Sequence, residues 1–164
     1  MANLTVWKFD TADGATNALG ILKQLQQEHL VVLIDAAVVT WQEGKKKPKT
    51  RQAVDLVGMG ALDGAFWGML FGFIFFVPLF GMALGAAMGA LSGKFSDFGI
   101  NDEFIKEVQT KVTEGTSALF LLTGAVTRDK VEEAFAGVNM ELITSNLSDG
   151  QEAELREAFG GEKE

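Results

Sequence analysis

Residues 56–95 read LVGMGALDGAFWGMLFGFIFFVPLFGMALGAAMGALSGKF, and within this stretch Asp63 is the one charge before its closing lysine. At 1.5 Å of rise per residue, the part before Pro78 would form a helix of roughly 33 Å and the part after it one of roughly 25 Å. The first length can cross the hydrocarbon core of a bilayer, and the second is marginal. Proline lacks an amide and restricts the preceding residue, so Pro78 favours a turn. The stretch predicts an apolar helical hairpin over residues 56–97.

Glycine recurs at every fourth position in both halves of this stretch. An interior glycine costs a helix about 1 kcal/mol relative to alanine, so a contact must compensate for the pattern. A helix face without side chains lets two backbones approach closely, as in the small-xxx-small packing of membrane helices. We therefore predict a glycine zipper for helix packing and oligomerisation, formed by Gly60, Gly64, Gly68, Gly72, Gly81, Gly85, Gly89 and Gly93. The alternative is that small residues let a soluble hairpin lie flat on its own sheet.

Two similar β-α-β patterns flank the apolar stretch. The first runs from an alternating strand near Leu4, through an amphipathic helix, to the β-branched run at residues 30–41. The second runs from the strand at residues 117–124, through a helix that Thr127 can cap, to a strand at residues 138–147. Two such units commonly form a four-stranded antiparallel sheet with both helices on one face. The prediction is an α+β, ferredoxin-like sheet built from two βαβ halves.

Two further helices complete the predicted body. Residues 102–114 carry apolar positions on one stripe, and a C-terminal helix begins at Ser148, where Gln151 completes a capping box. We therefore assign residues 1–55 and 98–164 to the α+β body, with the hairpin inserted between them.

A basic tract directly precedes the hairpin in a chain of net charge -8. Its cations are Lys45, Lys46, Lys47, Lys49 and Arg51. Together with Lys94 beyond the hairpin, they predict that both hairpin ends lie on the cytoplasmic side of a membrane. Such a cluster can also contact anionic lipid headgroups, at roughly 1 kcal/mol for each cation near the surface. The alternative is a solvated loop between a strand and a helix.

Asp63 is unusual because an ionisable group inside an apolar helix is costly and usually faces a partner, a cavity or a water-filled path. One interpretation is an ion site in a conducting or sensing pore. The alternative is a subunit contact, or a side chain that reaches the interface from about two turns inside the segment.

Composition excludes several classes of function. A pI near 4.7 argues against nucleic acid as a partner, because such proteins neutralise phosphates with lysine and arginine. The chain has no cysteine, and His29 is its one histidine. No phosphate-binding, zinc-protease or serine-hydrolase motif is present. We predict no enzyme activity, no catalytic residues, no metal and no cofactor. The N-terminus has no signal-peptide pattern, so we expect synthesis in the cytoplasm.

Several motifs resemble a family of uncharacterised bacterial and archaeal proteins, a domain of unknown function whose members are described as predicted membrane proteins. The similar features are the helix start Asp13-Gly14-Ala15, the basic tract, and the blocks GALDGAFWGMLFG and FFVPLFGMALGAAMGALSG. The segment after Ile100 and the strand SALFLL are also similar. The resemblance implies a hairpin inserted in an α+β frame and a link to envelope or stress physiology. It implies no catalytic residues.

These observations favour a non-enzymatic, membrane-associated scaffold that forms homo-oligomers through the hairpin. Its expected location is the inner (cytoplasmic) membrane with the α+β body in the cytoplasm, and its expected partners are lipid and further copies of itself. An alternative is a soluble, cytoplasmic, self-assembling particle that buries the hairpins between subunits. A further alternative is the ion-conducting or ion-sensing pore.

Overall fold

The structure is an α+β arrangement around a five-stranded antiparallel sheet, seen in a computed structural model that describes residues 3–52, 64–76 and 99–159. The strands are β1 (Asn3–Phe9), β2 (Val31–Thr40), β3 (Lys49–Gln52), β4 (Ser117–Val126) and β5 (Met140–Ser145). Their order across the sheet is β3-β2-β4-β1-β5, and each neighbouring pair is antiparallel. The predicted α+β class is confirmed.

Helices cover both faces of the sheet in the described part of the chain. They are α1 (Gly14–Gln27), α2 (Gly64–Phe71), α3 (Asp102–Lys111), α4 (Arg128–Ala134) and α5 (Asp149–Phe159), with a π-helix (Gly72–Phe76) directly after α2. Buried side chains of α1 and α4 belong to the core on one face, and the partly buried Leu155 and Phe159 of α5 pack against it. Those of α2, the π-helix and α3 belong to the core on the other.

The central strand β4 is buried on both faces because helices pack against each of them. Leu119 and Leu121 point to the core shared with α1, whereas Phe120 and Leu122 point to the core shared with α2. A strand buried on both sides needs apolar residues at consecutive positions. This explains the unbroken run ALFLL, which a strand with one solvated face would not contain.

The sheet has one more strand than the sequence pattern predicts. Lys49–Gln52 pairs with β2 in the register Thr40↔Lys49 to Ala37↔Gln52, so two of the five cations of the basic tract lie in a strand rather than a loop. Edge strands commonly carry lysine, because a charged edge resists pairing with other chains. Edge position thus explains how a strand forms from a segment of low β propensity.

The N-terminus of α1 is capped from a distant strand. The helix begins at Gly14, and its N-cap residue Asp13 makes no side-chain hydrogen bond. Instead the Ser117 hydroxyl accepts from the Ala15 amide at 2.9 Å and donates to the Thr11 carbonyl at 2.7 Å. The fully buried Ser117 therefore joins the start of β4 to the start of α1.

The C-terminal helix α5 has the predicted capping box and covers the edge of β5. The Ser148 hydroxyl accepts from the Gln151 amide at 3.2 Å, and the Gln151 side-chain oxygen accepts from the Ser148 amide at 3.2 Å. Arg156 donates to the carbonyls of Leu142 and Ile143 at 3.3 and 3.0 Å. These bonds hold α5 against β5 and occupy carbonyls on an edge strand.

We expect opposite effects of alanine at two glycines of α1. A Cβ on Gly14 would lie 2.9 Å from Phe9 Cγ, so Gly14→Ala should lower the free energy of unfolding by about 1–3 kcal/mol through overpacking. Gly20 is exposed with no described heavy atom within 4 Å of such a Cβ, so Gly20→Ala should raise it by about 1 kcal/mol. Urea unfolding measures both values, and stabilisation by Gly14→Ala would contradict the close packing.

Candidate functional site

Residues 64–76 of the glycine-rich stretch pack on the sheet of their own chain. Trp67, Leu70, Phe71 and Ile74 follow at spacings of three and four residues, which places them along one side of the helix. All four are buried and belong to the core cluster that includes side chains of β1, β2 and β4. Over residues 64–76, the apolar stretch and the α+β body therefore share one hydrophobic core.

A buried carboxylate joins this helix to the sheet. Asp35 on β2 is 0% exposed, and its Oδ2 atom accepts from the Trp67 indole Nε1 at 2.9 Å and from Gln52 Nε2 at 3.0 Å. Its Oδ1 atom accepts from the Ala36 amide at 2.8 Å. Buried polar groups need such partners, because an unmade hydrogen bond costs the full desolvation of the group. Asp35 thus connects β2, the edge strand β3 and α2.

Sequence reasoning missed Asp35. The residue lies inside the run LVVLIDAAVVTW, where it is the single charged residue of an otherwise apolar strand. That isolation is the signal that could have identified it, since a lone carboxylate in a buried strand must have hydrogen-bond donors nearby. Trp67, which donates to this carboxylate, is itself only 2% exposed.

Aromatic contacts and α3 hold the same segment from other sides. The Trp67 ring stacks on Phe71 at a centroid distance of 5.7 Å and meets Phe120 edge-on at 6.1 Å. On the π-helix, the Ile74 carbonyl accepts from Gln109 Nε2 of α3 at 3.1 Å. Residues 64–76 of the predicted hairpin are therefore fixed to the body by packing and by hydrogen bonds.

One glycine of the predicted stripe, Gly68, lies beside the packed side of α2. Gly68 follows Trp67 by about 100° around the helix axis. It is exposed, and no described heavy atom lies within 4 Å of a Cβ built on it. Gly64 is the first residue of α2, and Gly72 is partly buried at the first position of the π-helix. The remaining predicted zipper residues lie outside the described residues: Gly60, Gly81, Gly85, Gly89 and Gly93.

The five predicted lipid-contact residues form one exposed surface, which we call the basic edge: Lys45, Lys46, Lys47, Lys49 and Arg51. Two of them project from the same side of β3, at alternate positions. The loop that carries the others is held near its start by two hydrogen bonds. Trp41 Nε1 donates to the Lys45 carbonyl at 2.9 Å, and the Gly44 amide donates to Glu114 at 2.9 Å. The fold thus presents these cations on an ordered edge of the sheet.

The remaining sequence predictions concern Asp63, His29, metal binding and a membrane-spanning helix. Asp63 lies outside the described residues, so the ion site stays a prediction. His29 is exposed after α1, with a positive φ of 63°. Within residues 3–52, 64–76 and 99–159, no group of three or more histidine, cysteine, aspartate or glutamate residues could hold a metal ion. No helix in these ranges combines the length and apolarity needed to cross a bilayer.

Comparison with known proteins identifies the family. A family model described as "Protein of unknown function (DUF1269)" matches residues 61–160. The chain belongs to this family. The DUF1269 match begins just before α2 and continues through α5, whereas β1, α1, β2 and β3 precede it. No curated protein and no solved structure shows a significant match to the chain.

The Asp35 contacts join the segment that matches DUF1269 to the residues that precede it. Trp67 lies inside the matched segment, and Asp35 and Gln52 lie before it. The DUF1269 segment also contributes only two of the five strands of the sheet, β4 and β5. The matched segment and the residues before it therefore build the sheet and the buried polar cluster together.

Proposed function

We propose that this protein is a non-enzymatic scaffold that binds anionic membrane surfaces and assembles with copies of itself through its glycine-rich segment. The observation that carries the proposal is the basic edge, because its five cations lie on β3 and on the loop before it, shortly before the glycine-rich segment in the sequence. The proposed location is the inner membrane, with the α+β body in the cytoplasm. In this arrangement the α+β body holds residues 64–76 of the glycine-rich segment in a fixed position.

Charge distribution supports the membrane contact. The chain carries a net charge of -8, so five exposed cations within seven residues are a local reversal of its overall charge. A net negative surface is repelled by anionic lipid, and approach is therefore favoured with the basic edge toward the membrane.

Neutralising three cations of the basic edge should release the protein from anionic vesicles. The variant Lys46→Gln/Lys49→Gln/Arg51→Gln loses about 3 kcal/mol of attraction at about 1 kcal/mol per cation, which is on the order of a hundredfold in affinity. Co-flotation with phosphatidylglycerol vesicles at low salt measures the effect. The matched control neutralises three exposed lysines elsewhere, Lys106, Lys111 and Lys130. Equal flotation of the two variants would refute the lipid contact.

Leucine at Gly68 should prevent assembly without harming the fold of a single chain. Gly68 is exposed with open space around its Cα among the described atoms, so the side chain fits on α2 but blocks close approach of a second helix. In sedimentation velocity, the homo-oligomer formed by the unmodified chain is expected to be lost in Gly68→Leu. Gly20→Leu is the control, because Gly20 is likewise an exposed helical glycine with open space. Normal assembly of Gly68→Leu would show that this part of the stripe makes no intersubunit contact.

A second candidate is a soluble self-assembling particle, which one observation favours. Trp67, Leu70, Phe71 and Ile74 are buried on the chain's own sheet, so this part of the stretch needs no lipid to cover it. Mass measurement without detergent separates the two candidates. A large, homogeneous particle that does not float with vesicles supports this candidate, whereas flotation that depends on the basic edge supports the membrane scaffold.

We also propose that the sheet is ferredoxin-like, with β3 added at one edge. The supporting observation is the order β2-β4-β1-β5, in which the strands of the units β1-α1-β2 and β4-α4-β5 alternate. In this interpretation the glycine-rich segment is an insertion between the two units. An experimental structure aligned on these four strands tests the proposal, and a different strand order would refute it.

A further inference from the structure

A cavity of about 240 Å³ lies on the face of the sheet opposite α2. Side chains of β1 and β4 form its floor, and side chains of α1, α5 and the α4 region form its walls. Most of the lining is apolar, including Leu22, Leu121, Val131 and Phe135. Residues of α5 close one side, where Phe159 meets the Trp7 ring edge-on at a centroid distance of 5.5 Å. The cavity is thus a built space between the sheet and three helices.

One buried hydroxyl in the cavity has no hydrogen-bond partner among the described residues. The Thr123 side chain lines the cavity, the residue is only 8% exposed, and its hydroxyl makes no hydrogen bond within the structure. The neighbouring Thr5 hydroxyl is already used, since it accepts from Trp7 Nε1 at 2.9 Å. A buried hydroxyl without a partner costs free energy that a ligand atom can recover. Thr123 therefore identifies the point where a polar atom of a ligand would be held.

The charges around the cavity restrict the ligand. Among the described lining residues there is no lysine, arginine or histidine, and the single charged side chain is the carboxylate of Glu154. Glu154 and Gln151 are exposed, so they mark the open side of the cavity. A ligand carboxylate would find no cation among these lining residues to balance its charge. The cavity thus favours a neutral head group.

The volume limits how much of a ligand the cavity can enclose. An apolar cavity of about 150 Å³ binds benzene in another protein, and one water-sized unit takes about 30 Å³ of liquid volume. About 240 Å³ therefore holds on the order of eight to ten non-hydrogen atoms. A chain or ring of this size would bury its apolar part against the leucine and phenylalanine side chains and direct one oxygen to Thr123.

We propose that this cavity binds a small neutral amphiphile, an alcohol, ketone or ester of eight to ten non-hydrogen atoms, whose oxygen pairs with the Thr123 hydroxyl. The site is separate from the basic edge and from the packed side of α2, so it adds a ligand to the scaffold and does not depend on the function proposed above.

The test is titration of the full chain with 1-octanol, followed by calorimetry and by ¹⁵N NMR shift mapping. We expect saturable 1:1 binding, with the shifts concentrated in β4, α4 and α5. Octanoate has the same chain length and a charged head, and it should bind at least about tenfold more weakly. Absence of saturable binding, or shifts that map elsewhere, would overturn the proposal. Equal binding of octanoate would overturn the assignment of a neutral head.

Two variants test the position of the ligand. Thr123→Val keeps the shape and removes the hydroxyl, so octanol affinity should fall about three- to tenfold. Thr144→Val is the matched control, because Thr144 is equally buried at 7% exposure but does not line the cavity. Val131→Phe should abolish binding by filling the space, with near-native circular dichroism as the check of folding. Unchanged affinity in Thr123→Val would refute the role of the hydroxyl even if Val131→Phe failed to fold.

Discussion

Replacing Asp35 with alanine is expected to lower the free energy of unfolding by about 3–5 kcal/mol. The change leaves the Trp67 indole, the Gln52 amide and the Ala36 amide without their acceptor. Each buried donor left unmade costs about 1–3 kcal/mol, and relaxation of the site keeps the total below the sum. The loss should concentrate in the contact between α2 and the sheet, because two of the three donors come from α2 and β3.

Urea unfolding gives the magnitude, and the indole ¹H resonance of Trp67 gives the location. In Asp35→Asn one oxygen acceptor remains, so an intermediate loss is expected. Asp10 is exposed, and Asp10→Ala should change stability by no more than about 0.5 kcal/mol. If Asp35→Ala changed the free energy of unfolding no more than Asp10→Ala, or if the Trp67 indole resonance did not shift, the carboxylate would not be what holds α2 on the sheet.

Phe120→Ala should lower the free energy of unfolding by a similar amount, about 3–5 kcal/mol, for an apolar reason. Phe120 is 0% exposed, so its removal leaves a cavity in addition to the lost transfer free energy. It also removes edge-on contacts to Phe71 and Trp67, with centroids at 5.1 and 6.1 Å. Both lost contacts are with α2.

The matched control for this variant is Phe135→Ala, which removes a buried ring from the opposite face of the sheet. Both variants should be destabilised in urea. Amide hydrogen exchange separates them, because residues 64–76 should exchange faster in Phe120→Ala and should remain protected, relative to global stability, in Phe135→Ala. Equal exchange in both variants would mean that α2 does not open separately from the sheet.

Local patterns in the sequence predict most elements of the body. The spacing of Ala15, Leu19 and Leu22 predicts α1, and the apolar run at residues 117–124 predicts β4, although the strand continues to Val126. The capping box at Ser148 places the start of α5 correctly. These predictions succeed because helix periodicity, capping and strand hydrophobicity depend on residues close together in the chain.

Three features depend on partners far apart in the chain, and local patterns do not predict them. β3 forms from a basic segment because β2 offers a free edge, and the cap of α1 comes from Ser117, 102 residues away from Ala15. The donors to Asp35 include Trp67, 32 residues away. Each feature satisfies a backbone or side-chain polar group through tertiary contact, which becomes visible only when the strands are paired.

The order of strands in the sheet also affects how the chain must be made. Strand β4 lies between β1 and β2 and pairs with both, yet the ribosome synthesises it after residues 64–76. About fifty residues separate the end of this segment from the end of β4, which at about 5–20 residues per second is roughly 3–10 s of translation. Throughout that interval Trp67, Leu70 and Phe71 lack the strand against which they finally pack. The core on this face of the sheet can therefore close only after β4 has been synthesised.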